Sequence, residues 1–150
     1  MDYDVLKQLE RELLAVLKEE YSFYQSLYIA LDKQRDAIKF NRDDQLLDLF
    51  AEVERYRQRI NKSEATIRQL QENHPKAFRM AAVLPEVKKT INSIRTLVKK
   101  SVDLVSECET YLQGRYDRIK EELGELQNSQ QILQYLSEPT PSPLFVDGKK

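Results

Sequence analysis

The side chains able to do chemistry are scattered along this chain, and each lacks a companion of the kind its chemistry needs. His74 is the only histidine and Cys108 the only cysteine. A zinc site or a histidine-based acid–base pair needs further ligating or titrating groups of that kind, which leaves His74 as a turn residue. The lone thiol excludes a disulfide framework and falls on a seam position where a small buried hydrophobe is expected. Carboxylates are plentiful but interleaved with Lys and Arg, and Glu121, Glu122 and Glu125 have no histidine partner for a di-metal bundle site. No Gly-rich phosphate loop and no nucleophile motif occurs. The block Lys88, Lys89, Lys99 and Lys100 reads as a solvated helix face. With a formal net charge of -1 there is no overall positive field to draw in nucleic acid or anionic lipid. The expectation is a binding protein and not an enzyme, with no cofactor and no metal.

The elements that must position any binding surface are helices. Only 3 Gly and no Trp occur in 150 residues, and 33% of the residues are charged. From Leu84 to Leu136 a three-four rhythm runs through Val87, Ile91, Ile94, Val98, Ser101, Val105, Cys108, Leu112, Arg115, Ile119, Glu122, Leu126, Ser129 and Leu133. Most of these are apolar, which predicts one long helix with a coiled-coil seam. A first helix is expected at about 2–40, with a broad stripe through Leu6, Leu9, Leu13, Leu17, Tyr24, Leu27 and Leu31. Its aromatic cluster Tyr21, Phe23, Tyr24 and Tyr28 reads as core with hydroxyls at the rim. Asn41-Arg42-Asp43-Asp44 supplies turn and N-cap chemistry before a second helix at about 43–73. The seam of that helix is Leu46, Leu49, Val53, Tyr56, Ile60, Ser63, Ile67 and Leu70, and its other face, including Arg55, Arg57, Arg59, Lys62 and Glu64, reads as solvated.

His74-Pro75 breaks the second helix, Lys76 to Val83 allows a short helical turn, and Pro85 suits the first position of the last helix. The expected fold is all-α: an elongated antiparallel three-helix coiled-coil bundle with helices at about 2–40, 43–73 and 85–136. The bundle occupies residues 1–137, and an extended Pro-rich tail follows at 138–150, where Pro139, Pro141 and Pro143 precede the apolar run Leu144, Phe145 and Val146.

At 1.5 Å per residue the last helix is roughly 78 Å long against roughly 58 Å for the first, so part of it must outrun its neighbours. Side by side from Asp2, the two come level with Phe40 near Gly124, and the apolar residues beyond are left uncovered. Gly114 and Gly124 suggest a bend, a close approach of another backbone or a less rigid segment. Charge changes along the same helix. Lys88, Lys89, Arg95, Lys99 and Lys100 dominate its start, and Glu107, Glu109, Asp117, Glu121, Glu122 and Glu125 its end, opposite to the preference of the helix dipole.

Laid out this way, the chain resembles the FlgN family of bacterial flagellar export chaperones. The resemblance rests on the Leu-rich opening helix (Leu6, Leu9, Leu13, Leu14, Leu17), the acidic turn Asn41-Arg42-Asp43-Asp44-Gln45-Leu46-Leu47, the break with a short connector, the long last helix and the end Phe145-Val146-Asp147-Gly148-Lys149. It implies a cytoplasmic chaperone that binds hook-associated proteins of the hook-filament junction, prevents their premature assembly and delivers them to the type III export apparatus. It also implies client binding through the end of the long helix, here Tyr116, Ile119, Leu123, Leu126, Ile132, Leu133 and Leu136.

On that surface Glu121, Glu122 and Glu125 are candidates for selecting basic positions of a client helix, and Leu144, Phe145 and Val146 for a plug that occupies the site when no client is bound. The partners expected are these flagellar proteins, without nucleic acid or stable membrane insertion, the chain itself being a monomer or weak homodimer. The lone thiol and an opening Met1-Asp2-Tyr3-Asp4 without a basic region fit a cytoplasmic location. The alternative is a structural or tethering coiled coil that dimerises through the same surface.

Overall fold

The computed structural model describes residues 3–137 and contains four helices: α1 Tyr3–Lys39, α2 Asp43–Asn73, α3 Pro75–Ala82 and α4 Pro85–Ser137. No strand occurs among the described residues. The all-α class is as expected, but there are four helices where three were expected, because Pro75–Ala82 is a helix in its own right. The Pro-rich tail, with Leu144, Phe145 and Val146, lies outside the described residues. The chain divides into two compact units, Met1–Tyr111 and Leu112–Lys150, a division that falls inside α4.

The turns are built from a few local bonds. At the end of α1, Asn41 takes a left-handed φ of 57°. Arg42 N–H reaches back to the Ala37 carbonyl (2.8 Å) and Asn41 N–H to that of Ile38 (3.3 Å), the paired closure of a Schellman motif. Asparagine tolerates this backbone better than most residues. The N-cap of α2 is Arg42, which makes no side-chain capping bond. Asp43 and Asp44 lie instead in the first helical turn, where their charge meets the positive end of the helix dipole. His74 ends α2 and begins α3: its N–H bonds Leu70 O (3.2 Å) and its carbonyl accepts from Phe78 N–H (2.8 Å).

Within the first unit, two apolar clusters hold α1 against its neighbours. In the first, Leu13 and Leu17 of α1 meet Ala81 of α3 and Val87 and Ile94 of α4, with Ile67, Leu70 and Phe78 packed around them. Ala77 and Ala81 are small enough to bring α3 close to this core, and both are buried. In the second, Leu27 and Leu31 meet Ile60 of α2 and Leu104 of α4, flanked by Phe23, Tyr24, Tyr28, Val53 and Tyr56. The aromatic residues Tyr21, Phe23, Tyr24 and Tyr28 of α1 are half-buried at the edge of these clusters.

The register of α4 along α1 differs from expectation. Lys18 Nζ lies 3.6 Å from Glu86 and Arg35 Nη1 3.3 Å from Glu107 Oε2. Near the end of α1, Lys39 Nζ stands 5.7 Å from the ring centre of Tyr111. The last turn of α1 therefore meets α4 at Tyr111, well before Gly124. The cause is α3: it packs on the first half of α1, so α4 begins beside Leu13 and Leu17 and not beside Asp2. Past Cys108 no described residue of α4 is buried. Gly114 and Gly124 continue the helix, and a methyl group built on either meets nothing within 4 Å, so no backbone approaches closely there among the described residues.

Leu13 is the core side chain shared by α1, α3 and α4, with 1% of its surface exposed. Its truncation to alanine should cost about 2–5 kcal/mol by lost burial and cavity formation. Urea unfolding followed by far-ultraviolet circular dichroism measures that loss.

Candidate protein-binding surfaces

Two surfaces present apolar side chains to solvent, one in each unit. In the second unit it is a single helix face. Tyr116, Ile119, Leu123, Leu126, Ile132, Leu133 and Leu136, the residues read from the sequence, are all more than half exposed. Leu112, Tyr116, Ile119, Leu123, Leu126 and Leu133 follow heptad steps and share one face. Ile132 lies roughly 180° from Leu123 at 100° per residue, and Leu136 some 140° away, so these two point off the stripe. Glu121, Glu122 and Glu125 are exposed. Tyr135, in the same part of the helix, is 84% exposed, the most open large apolar residue described.

The stripe also departs from the seam read in the sequence. Up to Leu112 the steps alternate regularly, with Val98, Ser101, Val105 and Cys108 before it. From Leu112 the next apolar residue is Tyr116 rather than Arg115, so two steps of four occur in succession and the apolar phase slips by one residue. Such a stutter unwinds a coiled-coil seam locally. It falls at the boundary between the two compact units.

In the first unit, faces of three helices converge on an open groove of about 690 Å³. Tyr24, Leu27, Leu31 and Gln34 of α1 contribute to it, with Phe50, Val53, Arg57, Ile60 and Glu64 of α2 and Val98, Ser101, Val102 and Val105 of α4. Phe50, Val102 and Val105 stay exposed at this groove. Sequence reasoning missed it because Phe50 and Val102 fall outside the seams. Such flanking positions come to face a common space only through the way the three helices pack.

Polar groups on the inner faces are the second unexpected feature. Glu20 occupies the seam of α1 in the series Leu13, Leu17, Glu20, Tyr24, Leu27, a carboxylate where an apolar residue belongs. It is 5% exposed and its Oε1 has no hydrogen-bond partner. Burial, and then the charge of Glu64, push its pKa up to about 7. Tyr24, whose hydroxyl lies 3.5 Å from Glu64 Oε1, is raised to about 12 by burial and by the neighbouring Glu64 and Glu20. Glu64, read from the sequence as part of a solvated face, is half-buried by this contact. Cys108 is buried, which raises its thiol pKa even though Gln34 and Arg35 stand near it, so the thiol is kept protonated and unreactive.

No group of three or more His, Cys, Asp or Glu side chains able to hold a metal ion occurs among the described residues. No described helix is long and apolar enough to cross a membrane. No family model, curated protein or solved structure matches the chain.

Because the folded form holds a proton on Glu20 that the unfolded chain releases at ordinary carboxylate pH, this group favours the fold most below about pH 4.5. That contribution is lost as the pH rises towards 7. Glu20→Gln should therefore raise stability at pH 8 by up to about 3 kcal/mol and flatten the fall between these limits. Urea midpoints of the two proteins across this pH range provide the measurement.

Proposed function

We propose that the chain is a non-enzymatic export chaperone of the FlgN kind. It acts in the cytoplasm, holds hook-associated proteins through the apolar stripe at the end of α4, and releases them to the flagellar type III export apparatus. The observation that carries this reading is the stripe itself: six large apolar side chains in heptad steps, left in water on a helix. Large contiguous apolar faces of this kind are uncommon on soluble proteins that have no partner.

The chemistry of the client follows from the face that would hold it. A heptad stripe matches the apolar side of an amphipathic helix, so the client contributes a helix with apolar residues at the same spacing. Terminal helices of filament-forming proteins have this character, since they pack on one another in the assembled state. Covering that face blocks premature assembly and keeps the client soluble. Of the three carboxylates Glu122, between Ile119 and Leu126, flanks the stripe and favours a client helix with a basic flanking position, which also speeds encounter, whereas Glu121 and Glu125 lie roughly 160° from Leu123 on the far side of the helix.

Leu126→Asp combined with Leu133→Asp should weaken binding of a hook-associated protein by about 100-fold or more. Each substitution removes roughly 1.5–3 kcal/mol of burial, and every 1.4 kcal/mol is a factor of ten. Isothermal titration provides the affinity and circular dichroism the helix content, which should stay unchanged because both side chains are exposed. Undiminished affinity would place the client elsewhere.

A further inference from the structure

The groove of the first unit looks like a bundle position from which a helix is missing. Its α2 wall runs from Phe50 to Glu64, roughly 21 Å at 1.5 Å per residue. Two polar atoms on its lining have no partner. Ser101 is 6% exposed and its Oγ is unbonded, whereas Thr90, Ser93, Thr96 and Thr110 of the same helix each bond the carbonyl four residues back. Gln34 spends its Nε2 on Cys108 Sγ at 3.9 Å and leaves Oε1 buried and unpartnered. The α4 wall is apolar apart from Ser101, while the α2 wall adds Glu54, Arg57, Asn61 and Glu64, so the groove is suited to an amphipathic helix that turns an apolar face with a hydrogen-bonding group towards α4 and polar side chains towards α2.

We propose that the occupant is a second copy of this chain: residues 112–126 of one copy lie in the groove of the other, antiparallel to Val98–Val105, and the exchange is reciprocal. Three features fit. The segment from Leu112 to Leu126 spans the same number of residues as the α2 wall. Its steps Leu112, Tyr116, Ile119 mirror the steps Val105, Ser101, Val98 taken in reverse, so antiparallel pairing sets Leu112 by Val105 and Ile119 by Val98. That register sets Tyr116, whose hydroxyl can both donate and accept, level with Ser101 and its unpartnered Oγ. Two such contacts related by a twofold axis close on themselves and leave no open end for further growth. Five large side chains docked twice, together with the groove walls they cover, remove on the order of 1,500 Å² from water, enough for a stable specific interface.

The proposal stands without the chaperone reading. Joined to it, the resting dimer covers the client-binding stripe, and client competes with the second copy for the same face.

Sedimentation equilibrium of the full chain, from micromolar to hundreds of micromolar, should show a dimer. Val102→Glu, an exposed groove-wall substitution outside the stripe, should weaken it about tenfold or more. Circular dichroism of this variant verifies its helix content. The pairing is read by disulfide formation under mild oxidation. In a Cys108→Ser background, Val98→Cys mixed with Ile119→Cys should yield a covalent heterodimer, and neither variant alone should cross-link to itself. The proposal is overturned by a wild-type chain that stays monomeric, by Val102→Glu dimerising normally, by a mixture that forms no cross-link, or by Ile119→Cys pairing with itself, which is the mark of stripe packed on stripe.

Discussion

The depth at which α4 starts along α1 is the constraint from which the rest follows. It is set by a small patch of close packing in which Ala81 and Val87, both fully buried, meet Leu13 and Leu17. Alanines let α3 approach α1 closely, and α3 then takes the level at which α4 would otherwise begin. Displacing a helix along its axis changes which of its residues find neighbours at the far end. Here that displacement leaves Cys108 as the last buried residue of α4. The large apolar residues that follow, from Leu112 to Leu136, are exposed. A short connector thus decides how much of a long helix is available for binding.

The inner faces are less uniform than a coiled-coil seam. Glu20, Ser63, Gln34 and Ser101 each place a buried polar atom without a partner inside the first unit. Such atoms lower stability, because a polar group removed from water without a hydrogen bond costs free energy that packing does not return. Two of them, Gln34 and Ser101, line the groove between the helices. Arg35 is arranged in the opposite way: its guanidinium meets Asp32 at 2.7 Å, Asp36 at 3.0 Å and Glu107 at 3.3 Å, tying α1 to α4 near the end of the first unit. Several carboxylates around one planar donor set give this link more geometric definition than an isolated surface ion pair.

Much of this was legible in the sequence. The three long helices fall at the spans their periodicity set, and Pro75 and Pro85 mark the breaks, because hydrophobic spacing and proline geometry are local properties of the chain. The short helix at Pro75–Ala82 carried a weaker signal, since eight residues complete only about two turns. Most of the candidate stripe was also legible, though Ile132 and Leu136 were grouped with it by apolarity rather than by angle. The groove was not legible. Phe50 and Val102 sit beside their seams, and their exposure depends on the absence of a neighbour, which no local pattern encodes.

The sequence by itself determined the helical class, the spans of the three long helices, and most of the apolar stripe at the end of the last one. All of these depend on neighbours within a few residues, where backbone geometry and side-chain spacing act directly. Only the tertiary structure decided the register of α4 along α1, the point at which burial ends, the groove left between three helices, and the burial of Glu20 beside Glu64. These depend on which side chains from distant parts of the chain compete for the same space, and that competition is resolved by packing.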